Sequence, residues 1–229
     1  MGIDIVPLAY KHKLDISSPE AFAKDISERF SANVVMEEEN KNNDYHRIEM
    51  FQIRNANATQ DISIRMSHPS DEDKMLYEVS FGMEHKGSFE VYPYHVDMYL
   101  TESPFRWHGF EECIWYKDEP VYRNTLIEYR EYIKNLSNLM GCTKCLYIPD
   151  QGYTGYIWGE AQKGVDYDSL IDYIRKRIYL KECKDKERLE KSLLLNLPCF
   201  LSKTKDYDGY PDVYLDVVMD DFHHSIPQV

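Results

Sequence analysis

"MLYEVSFGMEHKGSFEVYPYHVDMYL" (residues 75–100) decides the fold class. Apolar and polar residues alternate through "MLYEVSFGME", "SFEVYPY" and "VDMYL". Side chains of a strand point to opposite faces in turn, so a period of two marks strands with one face in a core. The same period runs upstream through "NVVMEEE" (33–39), "YHRIEMFQIR" (45–54) and "DISIRMS" (61–67). The links "NKNND", "NANATQ", "HPSDED" and "EHKG" are rich in turn-forming residues. Links this short favour antiparallel neighbours, so the stretch predicts an antiparallel meander. Ile48, Met50 and Ile53, then Ile62, Ile64 and Met66, supply its apolar faces, and the change of parity around Phe51 predicts a bulge.

Helices flank this region. "GIDIVPLA" reads as a strand, and "SSPEAFAKDISERF" (17–30) as a helix capped by Ser18 with Pro19 in its first position. Phe22, Ile26 and either Arg29 or Phe30 keep its spacing, with Ala23 beside them. A second helix spans about 120–140, because Tyr122, Leu126, Tyr129, Ile133, Leu136 and Met140 recur at alternating steps of four and three. Gly141 closes it. "CTKCLYIPD" (142–150) reads as the next strand, ended by Pro149, and "QGYTGYIWGEAQKG" (151–164) as a surface loop with room for a short hairpin. Asp166 or Asp168 caps a further helix with Leu170, Ile171, Ile174 and Ile178 inward. A helix over 184–196 and an acidic strand over 210–222 complete the prediction.

The expected fold is α+β: an N-terminal antiparallel β-meander with helices packed on it, then a helix-rich C-terminal half with one or two added strands. A single domain over 1–229 is the simplest organisation, with a weak possible boundary within 101–118. A chain of 229 residues, 43% hydrophobic and 14% aromatic, can bury a core without disulfides or metal.

Charge bounds the function. Forty acidic residues against 27 Lys and Arg give a formal net charge of −13. Such a field repels phosphate backbones and anionic lipid surfaces, so neither nucleic acid nor membrane is an expected partner. It attracts basic proteins, although solubility is its simpler purpose. The N-terminus has no basic start followed by a long apolar run, and no segment reaches the length of a membrane span, which makes the cytoplasm the expected location.

Catalytic and cofactor motifs are missing: no G-x-S-x-G, P-loop, G-x-G-x-x-G, H-E-x-x-H or EF-hand loop occurs. No cofactor or metal is therefore expected. Cys142 and Cys145 form a Cys-x-x-Cys on a predicted strand, where residues three apart face opposite ways; two half-buried structural residues are the simpler reading. His95 and Asp97 form an H-x-D that shares one strand face and suits a metal site or a Tyr-rich polar pocket. Asp150 sits at a strand end, in turn chemistry.

The tail carries the clearest signal. Asp206, Asp208, Asp212, Asp216, Asp220 and Asp221 lie in a span without Lys or Arg, interleaved with Tyr207, Tyr210 and Tyr214. Edge protection explains such charge, and so does a surface built for a basic partner. Tyr153, Tyr156 and Trp158 would add aromatic anchors, or pack their loop onto the body. The expected function is thus a non-enzymatic acidic protein-binding protein, of the inhibitor or immunity type, that neutralises a basic partner through Asp206, Asp208, Asp212, Asp216, Asp220, Asp221, Tyr210, Tyr214, Tyr153, Tyr156 and Trp158. The alternative is an enzyme with a scattered site in a polar pocket, metal-dependent or not, its first suspects His95, Asp97, His108, Asp150 and Cys145. A third possibility is an acidic mimic of nucleic acid.

Overall fold

The computed structural model describes residues 5–39, 47–68, 72–81, 87–99, 120–149 and 155–178. In chain order the elements are β1 (Ile5–Tyr10), α1 (Pro19–Arg29), β2 (Ala32–Glu39), β3 (Arg47–Ile53), β4 (Gln60–Met66), β5 (Tyr77–Phe81), β6 (Ser88–Val91), β7 (His95–Tyr99), α2 (Pro120–Leu139), β8 (Lys144–Pro149), α3 (Gly155–Gln162) and α4 (Tyr167–Ile178). The described strands form one mixed sheet in the order β3-β2-β4-β5-β6-β7-β1-β8. The chain is therefore a mixed α+β fold. The predicted boundary within 101–118, the helix over 184–196 and the strand over 210–222 lie outside the described residues.

The meander holds from β4 through β7, whose successive pairs are antiparallel. It does not extend to β2, which pairs with β4 in parallel. β3 returns antiparallel to β2 on its outer side, so the link of residues 54–59 must pass beneath the start of β2. Polar side chains fix that crossing: the Asn55 amide N–H donates to Asn33 Oδ1 (3.1 Å), and Asn55 Nδ2 to the Ser27 carbonyl (2.9 Å). The Thr59 N–H adds a bond to the Ser31 carbonyl at 2.8 Å. A link read as a plain turn is in fact a pinned crossover.

The bulge predicted near Phe51 is present. Met36 pairs with Phe51 while Glu37 pairs with Glu49, which leaves Met50 as the extra residue. The bulge changes which side chains reach the core: Phe51 and Ile53 pack against it, whereas Ile48 (53% exposed) and Met50 (41% exposed) point away from it. The expectation that Ile48 and Met50 supply the apolar face is corrected accordingly.

Alternation gives the sheet two unlike faces. Met36, Ile64, Val79, Phe89 and Met98 are cross-strand neighbours in one row, and all are buried. This face carries α1 and α2, through Phe22, Ala23, Ile26, Ile133 and Met140. Burying each large side chain there contributes about 1.5–3 kcal/mol. Ser18 caps α1 as predicted, its Oγ accepting from the Ala21 N–H at 3.1 Å. Gly141 adopts φ +71° after α2, the left-handed conformation that a glycine C-cap provides. Arg29 ties the two helices together, donating to the Leu139 carbonyl (3.0 Å) and the Lys13 carbonyl (2.8 Å).

On the other face, β1 and β8 are covered by α3 and α4, where Val6, Leu8, Tyr10 and Leu146 meet Ala161, Tyr167, Leu170 and Ile171. The Asp166 carboxylate caps α4, accepting from the Asp168 and Ser169 N–H groups. α3 replaces part of the predicted surface loop. With glycines at 155 and 159 its intrinsic helix propensity is low. Packing overrides propensity here, because Trp158 and Ala161, one turn apart, both lie against the second apolar cluster. Among the described residues no helix is long and apolar enough to cross a membrane.

Candidate functional site

The register places a second row on the face opposite the apolar one: Glu37, Arg65, Glu78, Glu90, Asp97, Leu8 and Leu146 are successive cross-strand neighbours. Beside it runs a row of Val35, Ser63, Ser80, Ser88 and Tyr99. Charge along the first row is partly matched. Arg65 pairs with Glu78, and Glu37 accepts from Arg47 (3.3 Å) and from the Ser63 hydroxyl (3.1 Å). Glu90 and Asp97 have no Lys or Arg partner among the described residues. They stand where the polar part of this face meets the helix-covered part.

The β6–β7 hairpin brings them together. Its strands join through Pro93 and Tyr94, which sets Val91 opposite Val96 and Glu90 opposite Asp97. The Tyr92 N–H donates to the His95 carbonyl at 2.9 Å. The Tyr92 carbonyl accepts from His12 Nε2 at 2.9 Å, and His12 Nδ1 accepts from the Leu14 N–H at 3.3 Å. These two bonds fix His12 as the tautomer protonated at Nε2, and burial lowers its pKa.

His95 and Asp97 are fully buried. Two tyrosine rings flank the imidazole: Tyr92 at 4.5 Å and 5° between planes, Tyr10 at 4.9 Å and 22°. Tyr10 is also the direct cross-strand neighbour of His95. His95 Nε2 lies 3.0 Å from Asp97 Oδ1, yet neither atom meets hydrogen-bond geometry. The other carboxylate oxygen, Oδ2, accepts from the Trp158 indole N–H at 2.8 Å. The Tyr10 hydroxyl and His95 Nδ1 are buried with no hydrogen-bond partner among the described residues, an arrangement rare in folded proteins.

Glu90 is half-buried. Its Oε2 accepts from the hydroxyls of Tyr92 (3.0 Å) and Tyr99 (3.3 Å), and Gln162 Nε2 reaches the Tyr92 hydroxyl at 3.4 Å. Burial, and then the charge of Asp97, push the Glu90 carboxyl up to about 7 despite the two tyrosine donors. Burial and then the charge of Asp97 raise the hydroxyl pKa values of Tyr10, Tyr92 and Tyr99, with Glu90 adding to the last two and Asp166 to Tyr10. The cluster is thus a Tyr-rich polar assembly with one carboxyl balanced between its charged and neutral forms near neutrality. No group of three His, Cys, Asp or Glu side chains suited to a metal ion occurs among the described residues.

Of the residues singled out in the sequence, the fold brings His95, Asp97 and Trp158 into one cluster. Trp158 is half-buried, its indole N–H engaged by Asp97. Tyr156 lies in α3. Cys145 is on the other side of the sheet, in the apolar cluster under α1 and α2. Cys142 precedes β8 and joins the same cluster, so the two thiols do not face opposite ways as a continuous strand would require; both are buried. Burial pushes the Cys142 thiol up to about 12. Tyr153, His108, Asp150, Tyr210, Tyr214 and all six tail aspartates lie outside the described residues.

Glu90, Tyr10, Tyr92 and Tyr99 were not singled out in the sequence. A usable signal for Glu90 existed: a two-residue turn at Pro93-Tyr94 sets residues summing to 187 opposite one another, which pairs it with Asp97. Comparison with protein families, with characterised proteins and with solved structures finds no match to this chain.

Proposed function

We propose that this chain is a non-enzymatic, acidic protein-binding protein of the cytoplasm, of the inhibitor or immunity type, whose partner is basic. One observation carries the reading: a surplus of 13 acidic residues, part of which the sheet aligns in the row ending at Glu90 and Asp97. Long-range attraction of this kind speeds and selects encounters with a basic surface. The acidic, tyrosine-bearing span from Asp206 to Phe222 belongs to the same reading. The burial of His95 and Asp97 supports it too, since a dyad flanked by two tyrosine rings is closed to a substrate.

The test is affinity capture from lysate of the source cells, washed at low and at high salt. A basic protein held at low salt and weakened at high salt is the expected result. Replacing Asp212, Asp216, Asp220 and Asp221 by Asn should weaken that capture and leave the fold intact. Failure to retain any basic protein at low salt would overturn the reading.

The second reading, an enzyme, is favoured by one observation: a Glu90 carboxyl raised to about 7 beside tyrosine hydroxyls could exchange a proton at neutral pH. It requires turnover that Glu90→Gln abolishes.

A further inference from the structure

We infer that β3 is the contact strand of a homodimer, pairing antiparallel with β3 of a second copy of this chain about a two-fold axis at Ile48. The inference is independent of the binding reading above.

The position of β3 opens the possibility. It is the outermost described strand at its end of the sheet, with β2 on its inner side. The outward backbone groups of such a strand are a template for another strand. At the opposite end of the sheet, β8 carries Lys144 and Pro149, residue types that discourage edge pairing. Residues 47–50 hold neither type, and all four are exposed. Ile48 and Met50 are two of the four large hydrophobic side chains exposed among the described residues. The bulge at Met50 confines the regular stretch to residues 47–49.

Charge selects the occupant. Glu49 stands directly opposite Glu37 of β2, an unfavourable pairing of like charges. Its carboxylate accepts from Gln52 Nε2 at 2.9 Å, and no Lys or Arg pairs with it among the described residues. Arg47 donates to Glu37 at 3.3 Å and its side chain is 51% exposed, so its guanidinium, rich in N–H donors, has capacity for a second carboxylate. Arg47 and Glu49 share one face of the strand, and Ile48 projects from the other. A two-fold axis at Ile48 therefore sets Arg47 of each copy opposite Glu49 of the other, and Ile48 opposite its own counterpart. An axis at Glu49 would bring two carboxylates together instead. An axis between residues 48 and 49 would set Ile48 against a carboxylate. The strand is thus self-complementary in one register. At physiological ionic strength charges are screened beyond about 8 Å, so these local pairs act against a damped repulsion between two acidic bodies.

The experiment is sedimentation velocity of the full chain over a hundredfold range of concentration. A reversible monomer–dimer equilibrium is the expected result. Ile48→Lys should weaken it at least tenfold without lowering the melting temperature. Arg47→Glu and Glu49→Arg should each weaken self-association at least tenfold, because each sets like charges opposite one another. Mixed together, these two variants should associate as wild type does, since every facing pair is then Arg with Glu. Both variants stay acidic overall, so bulk attraction does not account for that recovery. A monomer at every concentration, a dimer that Ile48→Lys leaves intact, or no recovery in the mixture would overturn the inference. Hydrogen exchange tests the other occupant. If the outward amides of residues 47–49 exchange slowly in dilute, monomeric protein, another segment of this chain covers the edge and the inference falls.

Discussion

The Trp158 indole N–H and the Asp97 carboxylate meet at 2.8 Å across 61 residues of chain, joining α3 to β7. This bond satisfies one oxygen of a buried acid, and it holds a helix of low propensity against the sheet. Trp158→Phe keeps most of the apolar area and removes the donor, leaving neither oxygen of Asp97 hydrogen-bonded by a described residue. The expected cost is about 1–3 kcal/mol, measured by urea unfolding. Asp97→Asn should lessen the effect of Trp158→Phe, because the two groups act as a pair. Additive losses would show that the bond carries no coupling.

Glu90 makes stability depend on pH with a definite sign. Its carboxyl rises from 4.5 to about 7 in the folded protein, so between those values the folded form holds a proton that the unfolded form has released. The contribution is full below about 4.5 and is lost as pH rises through about 7. Glu90→Gln lacks this proton. Its melting temperature should approach that of wild type at pH 5 and exceed it at pH 8. A constant difference across that range would remove the titration from the account.

Gly141 is fixed by conformation and by space. At φ +71°, an added Cβ would stand 3.0 Å from the Lys13 Cβ. Gly141→Ala should therefore destabilise by about 1–2 kcal/mol from backbone conformation alone, and by more once Lys13 is displaced. Calorimetry checks this. Gly159→Ala is the internal contrast, since a Cβ there meets nothing within 4 Å, and helix propensity should make it stabilising by up to about 1 kcal/mol.

The Cys-x-x-Cys should be chemically quiet. With its pKa pushed up to about 12 by burial, Cys142 holds very little of the thiolate that reacts. At pH 8 its alkylation by iodoacetamide in the folded protein should be at least a hundredfold slower than after unfolding in urea, as read by peptide mapping. Equal rates would contradict the burial.

What the sequence revealed follows from the range of each interaction. The strands, α1, α2 and α4 rest on local periodicity and caps such as Ser18 and Gly141, all legible within a dozen residues. The parallel pairing of β2 with β4 was hidden, because it depends on Asn55 reaching Ser27 and Asn33 rather than on link length. α3 was hidden as well, because its stability comes from the sheet and not from "GYIWGEAQ" itself. His95 and Asp97 stood out as a motif. Their meaning came from Tyr10, Tyr92 and Trp158, which no fixed spacing links to them.

The place of β1 in the sheet has a consequence for synthesis. It precedes every other described strand in the chain, yet its neighbours are β7 and β8. A ribosome must deliver residues 95–99 before β1 can pair on one side, and residues 144–149 before it can pair on the other. Until then the nascent chain carries Leu8 and Tyr10 on a strand with both edges open, a substrate for a chaperone or for another growing chain.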